Sequence, residues 1–256
     1  MGRIIAISNQ KGGVGKTTTA INLAAALAAL DRPILLVDLD SQANATSGLG
    51  FSREKEGPDA YDALLSESAD GAVRPTAFPN LSLLPSGRDL VGAEIELVDR
   101  PGREARLRAA LGPLRGRFDF LFVDCPPSLS LLTVNALTAA DGVLIPIQTE
   151  YFALEGLTEL LRTVDRVRQS WNPLLAVDGI VLTMYDDRTN LARQVTEDIR
   201  AHFGEKVFKT VIPRNVRLGE APSFGKPVLA YDIKSRGAEA YLALAREFLQ
   251  RQEASR

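Results

Sequence analysis

Cysteine is nearly missing from this chain, and the one present, Cys125, can form no disulfide within it. Alone it cannot hold a metal ion or an iron–sulfur cluster either, so a reducing cytoplasm is the expected compartment. The only histidine, His202, is far from Cys125 in sequence, and the thiol is therefore expected to be a packed side chain rather than a nucleophile. Long apolar runs are missing as well. None approaches the length of a membrane span, and Gln10 and Lys11 come too early for the apolar region of a signal peptide. Ala6 stands where a myristoylation signal beginning at Gly2 needs Ser or Thr. Charge of one sign is lacking too: 30 Lys and Arg against 32 Asp and Glu leave a net charge of −2. Nothing global pulls the chain toward nucleic acid, so any such binding must come from a local patch. No repeat or low-complexity segment is present.

What the chain does have is apolar mass and alternation. Its 256 residues are 45% hydrophobic, enough for a large core, and one domain over residues 1–256 is expected. Apolar runs at residues 3–8, 33–38, 81–87, 118–124, 141–147 and 177–184 read as strands. Helical patterns fall at residues 20–30, 90–98 and 103–111, in a crossover carrying Leu154, Leu157, Leu161 and Val164, and in a final stripe of Ala238, Tyr241, Leu242, Ala245, Phe248 and Leu249. Strands alternating with helices predict an α/β fold: a doubly wound, mostly parallel sheet with helices on both faces. Residues 51–79, rich in charge, Gly and Pro, read as a surface excursion with a short helix at 61–65.

The stretch between the first strand and the first helix organises the rest. Lys11, Gly12, Gly13, Val14, Gly15, Lys16, Thr17 and Thr18 bring glycines, lysines and hydroxyls to a helix N-terminus, where backbone N–H groups and the helix dipole converge on an anion. Glycine permits positive φ and keeps side chains out of the way of a triphosphate. Lys16 is expected to reach the β/γ-phosphates and the Thr17 hydroxyl to coordinate Mg2+. Asp40, in the polar loop after the second strand, is a candidate for holding the attacking water or a water of the Mg2+ shell, since ligands of open parallel sheets bind at the carboxyl edge. Asp124 ends the most apolar strand as a Walker B carboxylate would, and is expected to hold the Mg2+ water shell.

Gln10 occupies the place of the first glycine in the usual P-loop, and with Lys11 the string becomes K-G-G-x-G-K-T. This deviant Walker A motif resembles the ParA, MinD and nitrogenase iron protein ATPases. Residues 211–223 and 225–227 closely match the segment that distinguishes ParA/Soj partition ATPases, so the resemblance covers nearly the whole chain. It implies an ATPase using ATP and Mg2+ that forms a homodimer with ATP, with Lys11 reaching the other subunit's phosphates and Asp40 serving hydrolysis. It implies base contacts from Met184, Pro213 and Asn215. It also implies non-specific binding of double-stranded DNA through Arg188 and Arg217, with help from Lys226 and Arg236, and a ParB/Spo0J-type partner in chromosome or plasmid segregation at the nucleoid. Residues 186–236 carry ten Lys and Arg against seven Asp and Glu, a local +3. The family string D-L-D-P-Q-G-N is altered here, Ser41 and Ala43 replacing Pro and Gly, which bears on the rigidity of the loop. A MinD-type membrane-cycling ATPase is the alternative; it calls for a basic amphipathic tail, and residues 250–256 have no bulky apolar side chain. A nitrogenase-type reductase would need two cysteines per subunit, which the lone Cys125 excludes. A small-molecule kinase or ligase stays open on the P-loop alone.

Overall fold

The computed structural model describes residues 1–254. Its strands are β1 (Arg3–Ile7), β2 (Ile34–Asp38), β3 (Arg74–Pro75), β4 (Leu81–Leu84), β5 (Phe120–Asp124), β6 (Gly142–Gln148), β7 (Ala176–Tyr185) and β8 (Val207–Pro213). They form one eight-stranded sheet in the order β3-β4-β2-β5-β1-β6-β7-β8. Every pairing is parallel except that of the edge strand β3 with β4. Successive strand side chains point to opposite faces. Ile4, Ala6, Leu35, Val37, Leu121 and Val123 accordingly enter one core, while Ile5, Ile7, Leu36, Phe120, Phe122 and Leu144 enter the other. A strand buried on both sides must be apolar throughout, which is why the central strands stand out so clearly in the sequence.

The helices are α1 (Lys16–Ala28), α2 (Asn44–Gly48), α3 (Ala60–Ser66), α4 (Leu90–Glu96), α5 (Arg106–Leu111), α6 (Leu131–Ala139), α7 (Ala153–Ser170), α8 (Asn190–Phe203), α9 (Val216–Glu220), α10 (Val228–Tyr231) and α11 (Arg236–Ala254). Helices α3 to α8 supply apolar residues to the first core, and α1, α2 and α9 to α11 to the second. Both faces are covered, the doubly wound arrangement that alternation predicts. In α11, Ala238, Tyr241, Ala245 and Phe248 are buried as expected, but Leu244 is buried too, whereas Leu242 and Leu249 are only partly covered. Phe248 meets Phe120 edge-on at 5.2 Å. Burying one such side chain contributes roughly 1.5–3 kcal/mol. Of the tail, residues 250–254 belong to α11, and Ser255 and Arg256 lie outside the described residues. Among the described residues no helix is long and apolar enough to cross a membrane.

Two expectations are revised. The stretch 51–79 is more than a surface excursion, because α3 buries Ala60, Ala63 and Leu64 completely. Its start is fixed by a capping box in which Asp59 accepts from the N–H groups of Tyr61 (2.9 Å) and Asp62 (3.3 Å), and Asp62 accepts from that of Asp59 (3.1 Å). Helix α1 begins at Lys16, well before residue 20, which puts Lys16, Thr17 and Thr18 in its first turn.

Candidate active site

The carboxyl ends of β2, β5 and β1 lie side by side, with Asp124 in register with both Asp38 and Ile7. The glycine loop crosses this edge. Gly13 (φ 75°) and Gly15 (φ 85°) are in the left-handed region that a side chain resists, and Gly15 directly precedes α1. First-turn N–H groups of a helix have no intrahelical acceptor, so those of Lys16, Thr17 and Thr18 are available to an anion. The loop is pinned at both ends. Asn9 donates through Nδ2 to the Pro146 carbonyl (2.8 Å) and accepts from the Lys11 N–H (3.0 Å). Thr183, near the end of β7, donates its hydroxyl to the Val14 carbonyl (2.8 Å). Gln10 uses the side chain that replaces the usual glycine to donate to Thr163 of α7 (3.1 Å).

Lys16 is buried and folds back so that Nζ donates to the Lys11 carbonyl (3.0 Å). Burial lowers its pKa, while Asp124 and Asp40 act in the opposite sense. Asp124 is fully buried, and neither of its carboxylate oxygens has a hydrogen-bond partner. Burial raises its pKa well above the ordinary carboxylate range, and Asp38 and Asp40 add to the rise. Thr17 and Lys16 oppose it, Thr17 standing close by without completing a hydrogen bond to either oxygen. A buried carboxylate without a partner carries a large desolvation cost, so the site is built for a cation or a donor that arrives with a ligand. Among the described residues no group of three or more His, Cys, Asp and Glu side chains could hold a metal ion unaided. Mg2+ keeps several waters and takes one or two protein ligands plus phosphate oxygens, and Thr17 with Asp124 fits such a set.

Asp40 is 7% exposed and lines a cleft of about 340 Å³ with Gly12, Gly13, Gly15, Lys16, Thr17 and Thr18. A second cleft of about 210 Å³ continues from it through the shared residues Gly15, Thr18 and Met184, and is closed by Thr183, Pro213, Asn215, Leu218 and Tyr241. One end is polar and phosphate-sized. The other is apolar and walled by the three residues proposed for the base. Met184 sits at the junction with φ 49°, a strained backbone for a non-glycine residue. The Asn215 side chain accepts from the Arg217 N–H (3.0 Å) and so caps α9. Cys125, next to Asp124, is buried and its thiol is pushed far up by burial, in keeping with a packed side chain.

Three residues nominated for the nucleotide site line neither cleft: Val14 and Asp124 lie buried behind them, and Lys11 stands outside. Lys11 Nζ pairs with Glu150 of the same chain at 2.6 Å, both side chains being about half exposed. Of the nominated basic residues, Arg188 pairs with Asp186 (2.6 Å) and Arg217 with Glu220 (2.7 Å) and Asp232 (3.3 Å). Arg188 and Arg236 line a third cleft that meets the base end at Pro213 and Arg214, the latter passed over by sequence reasoning. Arg214, Arg236 and Lys226 form no ion pair among the described residues. Pro127, Gln42 and Asn44 at the phosphate end, and Tyr241 at the base end, were also missed. Tyr241 could not have been singled out, because its place on the apolar stripe of α11 reads as core.

A family model described as "AAA domain" matches residues 2–177 of this chain. The chromosome partitioning protein ParA of Myxococcus xanthus (strain DK1622) is 56% identical over 252 residues, 98% of this chain and 89% of the relative. The sporulation initiation inhibitor protein Soj of Bacillus subtilis (strain 168) is 54% identical over 248 residues, 96% of this chain and 98% of the relative. Among solved structures, cobyrinic acid a,c-diamide synthase from Mycobacterium smegmatis with bound ADP and magnesium superposes with a TM-score of 0.88 at 39% identity, covering 100% of this chain and 97% of that one.

Proposed function

This chain belongs to the ParA/Soj family of partition ATPases, and from that premise we propose that it is a Mg-ATP-driven dimer that binds duplex DNA and segregates chromosomes or plasmids with a ParB/Spo0J-type partner. The observation that carries this reading is the unpartnered, fully buried Asp124 carboxylate close to Thr17 and Lys16, which themselves line a glycine-rich cleft that runs on into an apolar one. Thr17 and Asp124 would hold Mg2+, with Asp40 at its water shell, and the ion would screen the β/γ-phosphate charge. Lys16 and the first-turn N–H groups bind the phosphates, and Met184, Pro213 and Asn215 bind the base. Asp40 orients the attacking water.

Lys11 serves the partner subunit. Lys16 already supplies charge within its own cleft, and Lys11 is held outside that cleft by Glu150, so its charge is free to complete a facing site once the ion pair opens. The γ-phosphate then makes the difference between monomer and dimer. DNA contact falls to Arg188, Arg217, Lys226 and Arg236, presented twice by the dimer, and gives the protein a cytoplasmic, nucleoid-associated life without a membrane stage.

Pelleting with duplex DNA and with anionic lipid vesicles, each with ATP and with ADP, tests the proposal. DNA binding that requires ATP, without vesicle binding, is expected. Vesicle binding in its place would point to a MinD-type cycle and overturn the DNA assignment.

A further inference from the structure

Beyond Leu39 the chain leaves the sheet, and the backbone of Asp40 has no strand partner to define it. Both of its backbone groups are nevertheless held by buried side chains. The Asp40 N–H donates to Asp38 Oδ1 (3.2 Å), and the Asp40 carbonyl accepts from the Ser86 hydroxyl (2.8 Å). The two anchors are themselves joined. The Ser86 N–H donates to Thr46 Oγ1 (2.9 Å), and the Thr46 hydroxyl and N–H both donate to Asp38 Oδ2 (2.7 and 2.8 Å). The result is a closed hydrogen-bonded ring, Asp38–Thr46–Ser86–Asp40, whose members are all at most 7% exposed.

We propose that Ser86, through this ring, is a positioning residue that fixes the Asp40 backbone and thereby sets its carboxylate in the nucleotide cleft. Three features of the ring support this. Ser86 lies 46 positions from Asp40, just past the end of β4, so it ties the loop to a second, separate strand end. Its hydroxyl has one donor and spends it on the Asp40 carbonyl, while its N–H is spent on Thr46, so removing either contact opens the ring. The loop also needs the restraint: Ser41 stands where the family has Pro, and Ala43 takes a left-handed φ of 50° where the family has Gly. Without Ser86, Asp40 keeps only contacts close in sequence, its N–H on Asp38 (3.2 Å), the Ala43 N–H on its carbonyl (2.9 Å) and the Gln42 N–H on its carboxylate (3.0 Å), and the turn loses its side-chain tie to the end of β4.

The inference rests on the hydrolytic role given to Asp40 above. Ser86→Ala is expected to lower kcat about tenfold, the scale set by small misplacements of a reacting group, while leaving Mg-ATP affinity within about twofold. Amide hydrogen exchange over residues 40–46 of the nucleotide-free variant should be faster, with exchange in β1 and β5 unchanged. In the Asp40→Ala background the Ser86 substitution should not lower the residual rate further. Thr46→Val is expected to copy Ser86→Ala, and Thr46→Ser, which keeps the hydroxyl, to restore parental turnover; this pair also decides the matter if Ser86→Ala does not fold. Parental kcat and unchanged exchange in Ser86→Ala, or in Thr46→Val, would overturn the positioning role while slow Asp40→Ala kept the reading of Asp40 intact. Normal turnover in Asp40→Ala would overturn both.

Discussion

The phosphate end of the cleft and the basic segment 186–236 are both polar, but they hold their charges in opposite ways. At the phosphate end Lys16 is buried at the start of α1 and Asp38, Asp40 and Asp124 at or just past the ends of central strands, and Asp124 is left without a partner. In the basic segment Arg188 and Arg217 are exposed and already paired with carboxylates of their own neighbourhood. The desolvation cost at the first site is met by folding, so a ligand gains directly from the waiting groups. The second carries a net +3 with its two exposed arginines already paired, so under the proposed function it would be screened by salt and would gain strength mainly from being presented twice by a dimer.

Removing charge from the buried region should therefore have the largest effect. Lys16→Ala is expected to lower Mg-ATP affinity by more than about 100-fold, the usual consequence of deleting one member of a buried charged contact. Titration calorimetry giving unchanged affinity would erase the contrast between the regions.

Lys11 lies between the two regimes. Lys11→Ala should keep nucleotide affinity within about twofold but lose the ATP-induced rise in molar mass by light scattering, whereas Glu150→Gln, which only opens an exposed ion pair, should shift dimerisation by less than about fivefold. Normal dimerisation of Lys11→Ala would remove its role in trans.

The basic segment should respond more weakly and in proportion to salt. If each subunit neutralises about two phosphates, the log–log salt slope of DNA binding is about −3 to −4, and Arg217→Ala makes it shallower by roughly 2 in the dimer, equally for all sequences. A slope left unchanged would exclude Arg217 from the interface.

The smallest effect is expected where the phosphate-end loop departs from its family. Relief of the left-handed backbone at Ala43 by Ala43→Gly is worth about 1–2 kcal/mol, but lost chain restriction of roughly 0.5–1 kcal/mol and one buried methyl of about 0.8 kcal/mol nearly cancel it. Tm should move by less than about 3 °C. A larger change would mean that residue type, rather than the hydrogen-bonded ring, holds this loop.

The same contrast explains what could be read in advance. Gly12, Gly13, Gly15, Lys16, Thr17, Thr18 and Asp40 meet in one cleft because strand ends and a glycine turn are local signals with a local cause. Helix α6 was passed over because its run LLTVNALTA is buried on nearly every side and shows no helical period. Helix α8 was legible and passed over: Ala192, Val195, Thr196 and Ile199 are buried at the i, i+3, i+4, i+7 spacing of a helix. The capping box of α3 uses Asp at both ends instead of the usual Ser or Thr with Glu. Ser86 and Thr46 carry no pattern of their own; they acquire meaning only when β2 and β4 pair and bring residues 46 and 86 together. In the basic segment, net charge was legible, but the partners that neutralise Arg188 and Arg217 are set by turns that no periodicity announces.

Under the proposed function, nucleotide binding and hydrolysis are separable within one buried cleft, and the ATP-bound state is the dimer that holds DNA. Light scattering of Asp40→Ala with Mg-ATP and a short DNA duplex tests it most directly. A persistent dimer on DNA with very slow ATP turnover is predicted; a monomer, or near-normal turnover, would contradict it.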